Sequence, residues 1–406
     1  IVNGFFSVDS FFFISGVLLA FLWFKTFHRR PSETMSGKGW AMFYVHRFLR
    51  LSPAFYILVI FYTFVFKQLI RDTPLSINAI VVADECSESW WVELLYLHNF
   101  VNDKIPCLGY SWYLDADMQM FLFTPLLLIP LALKPLLGFI VAAVIISIST
   151  ATNIFLVYYY HWPESLNILH PVDPDQTNIE NYPMLMYASP LIRCQVYIIG
   201  MLVGRFLQTR KQLKLHLIVY FTAWIIAISL MLTVLFGLHN QTTGTPLHIF
   251  WRAMYSAFSR PAWALGLSAV VILCYYGYGG PTNTFMSWNV WVPLGRLSYS
   301  GYLIHIPVIH FILAQTTDEV YFTTFLELVI ARLVPITTIT YVLAIFWSAF
   351  FELSFARIER LLLVEVRCPK TEDEVDLLAT EEMEDPGNGE GDPEEGTIVT
   401  HQIEHE

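Results

Sequence analysis

SWYLDADMQMF, Ser111 to Phe121, runs almost directly into the apolar stretch Thr124 to Leu133. A run of about 20 mainly apolar residues is long enough to cross the hydrocarbon core of a bilayer as a helix. Read that way, Asp115, Asp117 and Gln119 stand at the mouth of a membrane-spanning helix. Ionisable groups are costly there, so each marks a candidate functional position. Asp117 and Gln119 point to different faces, and at most one of Asp115 and Asp117 is expected to face the bundle interior. Asp117 is the deeper and the preferred carboxylate, with a merely interfacial acid as the bland alternative. Trp112 and Tyr113 suit an interfacial aromatic belt.

The rest of the chain agrees with a membrane setting. Of 406 residues, 55% are hydrophobic and 14% charged, against about 25% charged in soluble domains. Spans are expected near 5–24, 48–66, 113–132, 136–157, 193–208, 217–237, 262–278, 297–315 and 325–351. The fold class is therefore all-α, a polytopic transmembrane helix bundle. The formal charge of -11 belongs to one segment: Thr371 to Glu406 holds 14 Asp and Glu and no Lys or Arg, leaving 20 acids against 23 bases elsewhere. Such a segment buries too little apolar surface to fold, and residues 371–406 are expected to be a disordered tail. No basic patch with interleaved aromatics points to nucleic acid, and no Cys/His spacing points to a metal, so neither partner is expected.

Orientation follows from basic residues. Lys25, His28, Arg29, Arg30 and Lys38, then Arg210, Lys211 and Lys214, then Arg357, Arg360 and Arg367 mark connections expected to be cytoplasmic, and the tail with them. Alternation puts 67–111, 158–193, 237–261 and 315–324 outside. These hold Cys86 and Cys107, expected to pair in an oxidising compartment, and the sequon Asn240-Gln241-Thr242, a glycosylation acceptor. A plasma or secretory-pathway membrane is implied. The chain opens at Ile1 inside an apolar span, as expected of the carboxy-terminal part of a longer protein.

Three further motifs carry polar groups into spans. Ser7-Val8-Asp9-Ser10, followed by aromatic residues and Gly16, puts Asp9 about one turn into the first span, as a helix-start carboxylate or as a charge in a polar cavity. His46-Arg47-Phe48-Leu49-Arg50-Leu51-Ser52-Pro53 sets two guanidinium forks three residues apart at the entry to the second span. They suit a phosphate, or simply anchor the chain at headgroups. Leu297-Ser298-Tyr299-Ser300-Gly301-Tyr302-Leu303-Ile304-His305 lines Ser298, Tyr302 and His305 along one helix face.

In order and spacing, these four motifs resemble the acyltransferase 3 family of integral membrane acyltransferases, and within it the nose resistant to fluoxetine branch of invertebrates. The resemblance spans residues 1–370 and implies a ten-helix core, of which nine spans are visible. It implies an O-acyltransferase that moves an acyl group from an acyl-CoA-type donor, used as co-substrate with no bound cofactor, to a hydroxyl on a lipid, sugar or other small molecule. A non-catalytic protein that binds or transports lipids or drugs is the alternative. By resemblance Arg47 and Arg50 hold the donor's phosphates, Asp117 stands where bacterial members have Glu, and His305 lines the cavity. Asp9, Trp112, Gln119, Ser298 and Tyr302 serve as cavity or structural residues. The family's proposed catalytic histidine precedes the Ser7–Gly16 motif and so lies before Ile1. With the orientation above, Asp117 is expected on the acceptor side, across the membrane from Arg47 and Arg50.

Overall fold

The computed structural model describes residues 4–73, 86–87, 89–101, 107–165, 173–238, 247–315 and 324–366. The sequon at Asn240 and the acidic segment 371–406 lie outside them. One compact unit, Ile1–Ala356, carries the architecture below; in the second, Arg357–Glu406, the described residues are helical as far as Val366.

Among the described residues nine helices are long and apolar enough to cross a membrane. They are α1 (Phe6–Arg29), α2 (Gly37–Ile70), α3 (Trp112–Leu133), α4 (Pro135–Tyr160), α5 (Ile179–Thr209), α6 (Leu217–Phe236), α7 (Ile249–Tyr275), α8 (Trp291–Ala314) and α9 (Phe325–Leu361). Their outward faces carry Leu, Ile, Val and Phe in large number, as lipid contact requires. The protein is an integral membrane protein.

Several helices begin earlier than their apolar runs. α2 starts at Gly37, where the Ser36 hydroxyl accepts from the Gly39 amide, and so Arg47 stands ten residues inside the helix. Polar residues end a hydropathy run but leave backbone hydrogen bonding intact, so helix and apolar run part company at their ends. The same holds for α7, which starts at Ile249, and for α8, which starts at Trp291. In α3, Pro125 lacks an amide hydrogen, and the helix is interrupted at Phe123 and Thr124 before resuming.

The core centres on α1 and α5, which run parallel in backbone contact. Gly200 and Gly204 form a GxxxG on α5; a Cβ on them would stand 2.3 Å from the Phe13 and Val17 carbonyl oxygens of α1. A Cβ on Gly16 would stand 2.3 Å from the Tyr197 carbonyl. Lipid supplies no hydrophobic drive between helices, so close backbone approach through small residues is how such pairs gain packing energy. Parts of α3, α4 and α7 close around this pair, while α2, α8 and the segment 86–111 enclose the other side of α3. A disulfide joins Cys86 to Cys107 within that segment.

Candidate functional site

Because α3 is enclosed on both sides, Asp115 and Asp117 are both buried. This corrects the expectation that at most one of them faces the interior: residues 89–101 and 107–111 fold back over the side that hydropathy alone would leave to lipid.

Asp117 faces α1 and α2. Its carboxylate accepts from the Ser15 hydroxyl at 2.9 Å and forms an ion pair with the Arg47 guanidinium. The guanidinium carbon lies 4.4 Å over the Phe121 ring centre, and Phe121 in turn stacks on Phe43. Tyr44 donates to the Leu122 carbonyl at 2.9 Å, which fixes the antiparallel register of α2 against α3. Asp117 therefore does not lie across the membrane from Arg47. The lengthened α2 carries the arginine to the level of the carboxylate. Arg50 is exposed, about 60° around the helix from Arg47, whose guanidinium is engaged by Asp117. Arg47 Nε is buried without an acceptor, and so is the Tyr197 hydroxyl.

Asp9 forms another buried ion pair, with Arg193 of α5 at 2.6 Å, each side chain only 1% exposed. Arg193 Nε donates to the Tyr187 carbonyl at 2.9 Å, which a π-helical turn, Pro183–Tyr187, leaves available. The guanidinium also lies over the rings of Tyr187 and Trp112. Trp112 is thus packed into the bundle and does not act as a surface anchor. Asp9 lines a small polar cavity with Arg193, Arg260, Glu164 and Ser259. Asp9 fits both readings: it stands in the first turn of α1 and it lines this cavity. Sequence reasoning missed Arg193, which looked like the edge of a loop because the helix there extends beyond the apolar run. Replacing Arg193 with alanine leaves Asp9 charged and unpaired, and is expected to cost about 3–5 kcal/mol. Asp9→Leu with Arg193→Met should recover most of the loss in thermal unfolding of the detergent-solubilised protein.

Gln119 pairs amide to amide with Asn99, at 2.7 and 3.0 Å, and donates to the Tyr96 carbonyl at 2.7 Å. It therefore ties segment 86–111 to α3. Tyr302 donates to the Tyr110 carbonyl at 2.5 Å, and His305 packs edge-on against the Tyr110 ring at 5.1 Å. The Tyr302 ring also meets Tyr113, one turn before Asp117. Ser298 departs from that stripe: it is exposed and donates to the Gly295 carbonyl of its own helix. The face it was assigned to turns away from the bundle at the start of α8.

Asp115 faces the other way, toward Glu93 and His98. The His98 Nδ1 atom lies 3.5 Å from a Glu93 oxygen, 3.8 Å from an Asp115 oxygen and 2.9 Å from the Ser111 hydroxyl. Burial pushes the Glu93 carboxyl up to about 7, opposed by bonds to Ser111 and the Leu108 amide, and draws His98 down to about 4. Neither Glu93 nor His98 was singled out in the sequence: residues 93, 98 and 115 follow no ligand motif, and only the return of the segment onto α3 unites them. One ligand atom from each of the three lies within 4.8 Å of the others, a grouping that no Cys/His spacing in the sequence indicates.

A family model described as an acyltransferase domain, that of acyltransferase 3, matches residues 1–353. The chain belongs to the acyltransferase 3 family. It is similar to nose resistant to fluoxetine protein 6 of Caenorhabditis elegans, 31% identical over 378 residues, covering 89% of this chain and 45% of that protein. It is also similar to regulator of hypoxia-inducible factor 1 of the same organism, 24% identical over 324 residues, covering 76% and 60%. The chain thus spans about half the length of the curated relatives it matches. No solved structure matches it. The Asp9–Arg193 and Arg47–Asp117 ion pairs fall inside the acyltransferase 3 domain.

Proposed function

We propose that this acyltransferase 3 protein is a membrane O-acyltransferase that takes an acyl group from an acyl-CoA-type donor and passes it to a hydroxyl on a lipid, sugar or other small molecule. The observation that carries the reading is Arg47, a guanidinium held inside the bundle by Asp117 and Ser15 with its Nε still lacking an acceptor. Charge-assisted bonds from such a group suit a phosphate or a developing oxyanion. Arg50, exposed on the same helix, supplies further positive charge toward a phosphorylated donor. The acceptor oxygen attacks the thioester carbonyl, the carbon–sulfur bond breaks, the thiolate departs, and the hydroxyl proton passes to a general base. Asp117 orients Arg47, and Tyr302 and His305 line the approach from α8. In this reading the basic connections and the acidic tail lie on the cytoplasmic, donor side of a plasma or secretory-pathway membrane.

A second reading, binding or transport of lipids or drugs without catalysis, is favoured by the printed name of the first relative, which speaks of resistance to fluoxetine and not of transfer. The test uses the protein in membranes with a radiolabelled acyl-CoA series. Transfer of label to a lipid or small-molecule hydroxyl, lost with Arg47→Ala and Arg50→Ala while membrane insertion is unchanged, supports the enzyme. Normal insertion with neither acyl-CoA binding nor transfer in the unaltered protein overturns it.

A further inference from the structure

The cluster on the far side of α3 from Asp117 plays no part in that reading. Glu93, His98 and Asp115 are buried, and one ligand atom from each lies within 4.8 Å of the others. Two carboxyl groups so close, away from water, are either protonated or matched by a counter-charge, because a buried carboxylate neutralises unless it is paired or coordinates a metal. Among the described residues, His98 alone lies within ion-pair distance of either acid. Among the described residues, Glu93 Oε2 and both oxygens of Asp115 are buried without a well-formed hydrogen bond, with the His98 backbone amide close to Asp115, and the side chains are 2% and 0% exposed.

We propose that Glu93, His98 and Asp115 bind a divalent cation of the zinc class, which pins segment 86–111 to the start of α3. One imidazole and two carboxylates are ligands that zinc accepts, whereas calcium takes six to eight oxygens. In a tetrahedral site with bonds of about 2.0–2.1 Å, donor atoms stand about 3.3–3.4 Å apart. The observed 3.5 and 3.8 Å from His98 Nδ1 to the two acids need adjustments of only a few tenths of an ångström. The Ser111 hydroxyl, fully buried and 2.9 Å from the same nitrogen, stands beside the fourth position. Other ties already hold this segment in place: the Cys86–Cys107 disulfide and the Leu108 amide that donates to Glu93 Oε1 at 3.3 Å. Ligands from two separate stretches of chain then make the cation a cross-link between them.

The experiment does not depend on acyl transfer. Protein purified in detergent is stripped with a chelator and dialysed, then titrated with Zn2+ and separately with Co2+, whose visible absorption reports its ligands. Expected are about one equivalent of zinc, a higher melting temperature on binding, and at least about tenfold weaker binding in His98→Gln and Asp115→Asn. Glu93→Gln gives a sign reversal that misfolding would not: it raises the melting temperature of the stripped protein, by removing an uncompensated carboxyl, and abolishes the rise caused by zinc. Absence of saturable binding in folded protein overturns the proposal, as does affinity unchanged in all three variants. Loss of binding in Asp175→Asn instead would assign the ion to the more exposed His161, Asp173 and Asp175 group.

Discussion

Replacing Arg47 with alanine is expected to abolish the proposed acyl transfer and to destabilise the bundle by about 3–5 kcal/mol, the cost of leaving a buried carboxylate without its partner. The value should fall toward the lower end, because the Arg47 side chain keeps 19% of its exposure whereas Asp117 keeps 7%. The stability effect comes from Asp117, which would retain only the Ser15 hydroxyl as a donor. Asp117→Asn removes that charge, so the double variant Arg47→Ala with Asp117→Asn should be more stable than Arg47→Ala alone. A double-mutant cycle read by thermal unfolding in detergent is expected to give a coupling of about 1–3 kcal/mol. Additive effects would mean that the two side chains do not act as a pair. Arg47→Lys keeps the charge but not the planar fork, and over the Phe121 ring the two are not equivalent. It should restore stability more fully than transfer.

An effect of comparable size is expected at the contact of α1 with α5. Gly200→Val places a branched side chain where even a Cβ would stand 2.3 Å from the Phe13 carbonyl oxygen. The obstacle is backbone, which no rotamer change relieves, so the two helices must separate along their whole length. Overpacking in a core typically costs about 1–3 kcal/mol when side chains can adjust, and here they cannot. Loss of the folded, detergent-extractable protein is the expected result, measured by size-exclusion chromatography. Gly301→Ala is the control: nothing lies within 4 Å of its added Cβ, and a helical Gly to Ala change should be neutral or gain up to about 1 kcal/mol. Equal behaviour of the two variants would show that the close approach is not what holds α1 to α5.

Separation of α1 from α5 would also break the site. Gly16 of α1 packs on the Tyr197 carbonyl one residue from Ser15, the donor to Asp117. Asp9 and Arg193 close the same pair of helices seven residues earlier in α1. The two ion pairs therefore share one frame. Their registers are set by glycines that carry no charge and take part in no chemistry.

Much of this was legible in the chain. All nine spans follow from apolar runs, because each helix must satisfy its own backbone groups and offer lipid an apolar surface, and both demands are local. The positions of Asp9, Arg47 and Asp117 inside spans were legible for the same reason: a charge stands out against an apolar run. Their partners were not. Asp9 and Arg193 are 184 residues apart, Arg47 and Asp117 70 apart, and which helix lies beside which is not a local property.

By itself, then, the sequence determined an all-helical membrane protein, the candidate polar groups within its spans and, through four ordered motifs, its family. Only the tertiary structure decided that α2 lifts Arg47 to the level of Asp117, that Asp115 and Asp117 serve opposite sides of one helix, and that Glu93 and His98 join Asp115. The physical reason is that hydropathy records what each residue prefers as its surroundings. A buried charge in an apolar run states only that it needs a partner, and helix packing chooses which partner it receives.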